Sequence, residues 1–226
     1  QLVYNPDKAS NIFKDIQKTI VKVFFIYIFF TALIFILFTL SGIRLFNSFN
    51  LAMSVSSTGA FLPTNELSEI IKNSTQKIIL SIALTFSALN IYFFYSLFTN
   101  TNTVKKHYED FLILISIIFF SLMLFFSIKD ASFLNIFFSV SSSLSNSGLT
   151  LYTPPENFYL FFIFLTIIGG SIISNSSGIK FMRLYILFKS TVLEIFRLVS
   201  PNIIIDQSIL KSEHKITNEN LNSSFF

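Results

Sequence analysis

The chain has no cysteine, so neither a disulfide framework nor a thiolate metal site is open to it. Charge is scarce as well. Asp, Glu, Lys and Arg make up 12% of its 226 residues, against 52% hydrophobic residues that include 31 phenylalanines. The longest apolar runs contain no Asp, Glu or His, which leaves an intramembrane enzyme without a base or a metal ligand at depth. Serine alone lacks the base a nucleophile needs, so an enzyme is not expected, and no cofactor is called for. The same absence removes an obvious proton relay and favours channel-like conduction over tight proton coupling. His107 and His214 fall in polar stretches and read as solvated. No basic residues gather on a soluble face, which argues against nucleic acid as a partner.

What is present is apolar sequence in lengths suited to a bilayer, at a mean hydropathy of +0.67. Residues 23–43 are uncharged, as are 78–104, 111–128 and 157–179, and these four runs predict transmembrane helices. Of 16 Lys and Arg, all but Arg44, Lys72, Lys77 and Lys129 fall on one side of that arrangement. The bias predicts a multi-pass membrane protein with both termini and the middle connection in the cytoplasm. The chain opens on Gln1 without a signal segment, and it is expected to be a piece of something longer.

Between the runs, residues 45–65 and 131–155 are uncharged but rich in Ser, Asn, Thr and Gly. Each begins with an apolar, helical-looking stretch, 45–54 and 132–141, and ends in a polar patch around one glycine, VSSTGAF and LSNSGLT. Gly59 and Gly148 stand 89 positions apart. Irregular backbone at membrane depth is tolerated only where it is buried in protein or lines a wet cavity. The expected fold is therefore an all-α membrane protein of two helix–pore loop–helix repeats, four transmembrane helices with two re-entrant pore helices. Its segments are a cytoplasmic N-terminus (1–15), a first repeat (16–98), a cytoplasmic connection (99–110), a second repeat with an interrupted last helix (111–187), and an interfacial helix with a polar tail (188–226).

A cation crossing a bilayer must trade its water for other oxygens, and backbone carbonyls serve without trapping it as a carboxylate would. Glycine supplies the backbone angles such a wall requires. The candidate ion filter is Ser57, Thr58, Gly59 and Ala60 on one wall and Ser145, Asn146, Ser147, Gly148 and Leu149 on the other. The plainer reading is that both are extracellular turns. A second interruption, Gly169, Gly170, Ser171, Ser174, Asn175, Ser176, Ser177 and Gly178, lies inside the last run. It reads either as a broken helix that lines or gates a path or as small-residue helix packing. Lys180 and Arg183, three apart, are expected on one helix face at the cytoplasmic mouth, anchoring by snorkelling or repelling cations.

On these residues the chain resembles the Trk/Ktr/HKT superfamily of potassium uptake proteins, and within it the membrane subunit of the bacterial Trk system. SGIRLF with AMSVSSTGAF is similar to its second pore loop, and residues 137–150 to its third. GGSIISNSSGIKFMR is similar to its intramembrane gate loop and the Lys-x-x-Arg element after it. The resemblance implies K⁺ as the transported ion, held at filter carbonyls near Gly59 and Gly148. It also implies four repeats around one pore, of which this chain carries the second and third. The first and fourth would then come from another chain or a second copy, with a cytoplasmic nucleotide-binding regulatory subunit as a further partner. Ile172 and Ile173 stand where the family favours smaller residues. That departure, with the missing repeats, keeps open a truncated or split-gene remnant that holds the membrane fold without transporting alone.

Overall fold

The computed structural model describes residues 6–93, 107–128 and 131–199. Among them every regular element is helical. The helix α1 (Pro6–Leu40) carries proline in its first turn, where the missing N–H costs nothing. It stops at Gly42, whose φ of 87° closes a Schellman motif. There Gly42 N donates to Thr39 O and Ile43 N to Phe38 O. A short helix follows, α2 (Leu45–Ser56), and then α3 (Ser74–Ser87). Gln76 secures the start of α3 by accepting from Lys72 N and Asn73 N while donating to Ser41 O at the end of α1. The order of long helix, short helix and further helix recurs in α4 (Tyr108–Ser127), α5 (Phe133–Ser145) and α6 (Tyr159–Ile168). The helix α7 (Phe181–Val199) runs on unbroken across position 187.

Among the described residues two helices are long and apolar enough to cross a membrane, Gln17–Leu40 and Tyr108–Ser127. The run 78–104 was expected to be one span, but α3 ends at Ser87 and residues 88–90 leave the helix. The last run is helical only to Ile168. The two breaks meet: the backbone at 88 and 91 bonds to the loop at 169–180, while Ala88 N and Leu89 N still close the end of α3. Ala88 O accepts from Ser171 N, and Ile91 N donates to Ile173 O.

Two apolar clusters hold the molecule. One gathers Phe38, Leu51, Leu80 and Leu84 from the first three helices with Phe138 and Leu149 from the second half. The other gathers Ile113, Ile117, Leu124, Val140 and Leu165 with Leu89 and Phe93 from the first half. Each half thus lends residues to the other's core. In lipid such burial gains nothing from leaving water, so close packing and shape carry the cohesion. The outer faces stay apolar: Phe25 is 64% exposed and Phe126 80%. At the seam, Thr85 Oγ1 and Ser141 Oγ meet at 3.1 Å in a fully buried contact between α3 and α5.

Candidate functional site

The short helices α2 and α5 end in the same way, and their ends create the two candidate walls. In α2, Thr58 N donates to Val55 O and Gly59 N to Ser54 O. In α5, Asn146 N donates to Ser143 O and Ser147 N to Ser142 O. Both are Schellman motifs, and the residue in left-handed conformation is Thr58 (φ 54°) in one and Asn146 (φ 58°) in the other. Ser54 and Ser142, Thr58 and Asn146, and Gly59 and Ser147 each stand 88 positions apart. The helix starts, Leu45 and Phe133, keep the same interval.

That interval revises the glycine register of 89. Gly59 occupies the place of Ser147, and Gly148 the place of Ala60. Gly148 has φ 68° and requires glycine's freedom, whereas Gly59 does not have a left-handed φ. A Cβ added at Gly148 would lie 3.5 Å from that of Ala60, so the two loops face each other at this point.

Each loop is braced from behind by a serine hydroxyl, Ser54 Oγ donating to Gly59 O at 2.7 Å and Ser142 Oγ to Leu149 O at 2.6 Å. Ser142 Oγ also meets Ser147 Oγ at 3.1 Å. Ser145 Oγ turns back to Ser142 O and Ser57 Oγ to Met53 O, so these hydroxyls serve their own helices. Among the described residues the carbonyls of Thr58, Ala60, Ser147 and Gly148 accept no hydrogen bond. A cavity of about 360 Å³ opens beside Ala60 and Gly148 and reaches Glu66. On the far side of each loop lies another: about 390 Å³ against Ser54 and Ser57, and about 150 Å³ against Ser142 and Gly148.

Residues 169–180 form an excursion whose neck is zipped shut. Ile179 N bonds to Ile167 O, Lys180 N to Ile168 O and Phe181 N to Gly170 O, at 2.9–3.0 Å. Gly169 and Gly178 lie back to back in this neck, with φ 70° and 94°. A side chain on Gly169 would collide with Ser177 O, and one on Gly170 with Ala88 O. These glycines serve a non-helical neck, which decides against the reading of small residues in a packed helix. Within the loop, Ser176 Oγ accepts from Gly170 N and meets Ser174 Oγ, while Ser174 Oγ donates to Ser171 O. Asn175 reaches out of the loop altogether: its Nδ2 donates to Ser56 O at 2.6 Å, and its carbonyl accepts from Thr58 Oγ1 at 3.1 Å. The two residues on either side of Ser57 are thereby bound to the interrupting loop.

Lys180 departs from the expected helix face. It precedes α7 in a left-handed conformation (φ 77°), and its ammonium folds back into the loop. There it donates to the carbonyls of Ser174 and Ser176 and to Ser174 Oγ. Loop carbonyls, not the membrane surface, hold it, so the shared snorkelling face with Arg183 is not formed. Arg183 lies half-buried in the first turn of α7.

His107 is not solvated. It is 8% exposed, and its Nδ1 lies 3.0 Å from Asp110 Oδ2, a carboxylate only 1% exposed. Asp110 Oδ1 accepts from Asn90 N at the break after α3, and Glu109 Oε1 accepts from Ile172 N. Ser171 Oγ, fully buried, finds no hydrogen-bond partner among the described residues. The polar start of α4 therefore fastens both chain breaks at once. In the sequence this start falls at the end of the expected connection, 99–110, and carries no mark of burial. The His-x-x-Asp spacing ahead of an apolar helix was the available signal.

No family model matches the chain. An uncharacterised cation transporter of Methanocaldococcus jannaschii is 27% identical over 195 residues, which cover 81% of this chain and 38% of that protein. The crystal structure of the potassium transporter TrkH from Vibrio parahaemolyticus superposes with a TM-score of 0.81 at 19% identity, over 92% of this chain and 47% of that one. The fold is that of TrkH's membrane helices, and the chain spans less than half the length of either protein.

Proposed function

We propose that the chain forms part of a monovalent-cation pathway through a membrane, with two of the walls of a carbonyl-lined filter in the loops at 57–60 and 145–149. K⁺ is the ion we assign, on the resemblance to potassium uptake proteins and the TrkH-like fold. The observation that carries the reading is the pair of matched Schellman ends. Each delivers a short helix into an irregular loop whose carbonyls at Thr58 and Ala60, or Ser147 and Gly148, are left without donors. Such oxygens can replace an ion's water. The excursion at 169–180 reads as the gate loop, since it touches a filter loop through Asn175 and is hinged on glycine at both ends of its neck.

Carbonyl filters are rings, and two walls do not close one. The cavities on the far side of each loop are the faces against which the remaining walls would sit, supplied by another chain or a second copy. The proposed assembly lies in the plasma (inner) membrane with both termini cytoplasmic, and a cytoplasmic nucleotide-binding subunit is its proposed regulator. A second reading, a remnant that keeps the fold without transporting alone, draws on Ile172 and Ile173, whose β-branched bulk stiffens the loop proposed to move.

Rubidium uptake by proteoliposomes holding the full chain tests the two. Uptake that Gly148→Ser abolishes supports a working filter. No uptake by the chain alone, with uptake restored by co-expressed flanking segments, supports a partial pore. No uptake under either condition leaves the remnant.

A further inference from the structure

The gate loop and the first filter loop are joined at two points. Asn175 Nδ2 donates to Ser56 O at 2.6 Å, and the Thr58 hydroxyl shares its one proton between Asn175 O at 3.1 Å and Ser57 O at 2.7 Å. The bonds bracket Ser57, and they run between residues 117 and 119 positions apart in sequence. Their target is the least comfortable backbone of the site. Thr58 is β-branched yet holds φ 54°, a conformation in which such side chains are rarely found. The second loop meets the same demand at Asn146, a residue that tolerates it, and carries no comparable tie to the gate loop among the described residues.

We propose that Asn175 is a positioning residue that straps the gate loop to the first filter loop, so that this loop's shape, and the cation preference of the pore, change when the gate loop moves. The proposal rests on the transport reading for its consequence but not for its contact. Strain at Thr58 persists only where the surroundings over-determine it, and the strap is part of those surroundings. When the gate loop withdraws, Asn175 leaves with it, Ser56 O loses its donor, and the Thr58 hydroxyl keeps only the carbonyl of Ser57. One wall of the filter then relaxes while the opposite wall, braced by Ser142, keeps its form. Gate position is thereby written into filter geometry through one amide side chain.

Amide hydrogen exchange of the full chain in lipid nanodiscs tests the strap without any need for transport. Asn175→Asp has nearly the same shape but no N–H to offer Ser56 O. Exchange at Ser57, Thr58 and Gly59 is expected to rise about tenfold, the size of one or two lost hydrogen bonds, with residues 146–149 unchanged. The reciprocal variant Thr58→Val removes the hydroxyl without touching the gate loop, and exchange at Ser174 is expected to rise about severalfold. Unaltered exchange at 57–59 in Asn175→Asp, or at Ser174 in Thr58→Val, overturns the strap. In proteoliposomes that conduct, Asn175→Asp should also lose part of its preference for potassium over sodium, and an unchanged preference overturns the link to selectivity. A wild-type chain that carries no ions counts against the transport reading alone, and the exchange result still decides the strap.

Discussion

The two candidate filter loops are built on one backbone plan with different residues, and the differences show which parts of the plan the chemistry fixes. Both short helices end in a Schellman motif, both place a left-handed residue at its pivot, and both use a serine hydroxyl to brace a carbonyl beyond it. Glycine is not part of what they share. The first loop keeps Gly59 where the second has Ser147, and Ala60 where the second has Gly148. Support differs too. The second loop is held from within, by Ser142 bonded to both Ser147 and Leu149. The first is held partly from outside, by Asn175. A loop braced internally keeps its shape whatever its neighbours do, whereas a loop braced by a mobile neighbour can be reshaped by it.

Deleting the internal brace is the most direct way to test that contrast. Ser142→Ala removes a buried hydroxyl that serves two partners and leaves the Leu149 carbonyl unpaired, at a cost of about 1–3 kcal/mol. Ser54→Ala removes one bond to Gly59 O and should cost about 1 kcal/mol. Unfolding midpoints in detergent give the ordering, and equal losses would mean that the loops are supported alike. The glycines come next. Gly148→Ala forces a side chain into a left-handed backbone opposite Ala60, at about 1–2 kcal/mol, and should abolish any ion flux. Gly59→Ala meets only the movable Phe61 ring, at 3.3 Å, and Ser57 Oγ, at 3.4 Å. It should be nearly neutral in stability and retain flux. Flux lost equally in both variants would restore Gly59 to an equivalent role.

Much of this plan was legible in the sequence, and the misses have physical causes. The short helices at 45 and 133 announced themselves as apolar stretches running into charge-free polar patches, and the interruption after Ile168 announced itself by paired glycines. The register slipped by one because glycine was taken to mark the left-handed turn, while the chain places Thr58 and Asn146 there. No local pattern singles out Thr58 for such an angle, and one of the two carbonyls its hydroxyl meets lies 117 residues away, at Asn175. The break after Ser87 was invisible for a like cause. Residues 78–104 form an uninterrupted uncharged run, and nothing in it announces the tertiary bonds that Ala88, Asn90 and Ile91 make to Ser171, Asp110 and Ile173. His107 reads as solvated in the sequence because burial is set by what packs over a residue. Here that cover includes Phe93, whose ring meets the imidazole edge-on at 5.5 Å.

The smallest expected effect separates tolerance from design at the pivot. Exchanging the two left-handed residues gives Thr58→Asn and Asn146→Thr. Asn adopts this backbone region far more readily than a β-branched residue does. If the pivot angle is set by the Schellman motif alone, Thr58→Asn stabilises by about 0.5 kcal/mol, the relief of strain slightly exceeding the loss of the hydroxyl bond to Asn175 O. Asn146→Thr then destabilises by about 1 kcal/mol. Opposite signs in the unfolding midpoints would place the two pivots under the same local rule, with threonine merely endured at position 58. Losses in both would say otherwise: the threonine hydroxyl would be worth more than the strain it brings, and the bond to the gate loop would be what holds threonine there.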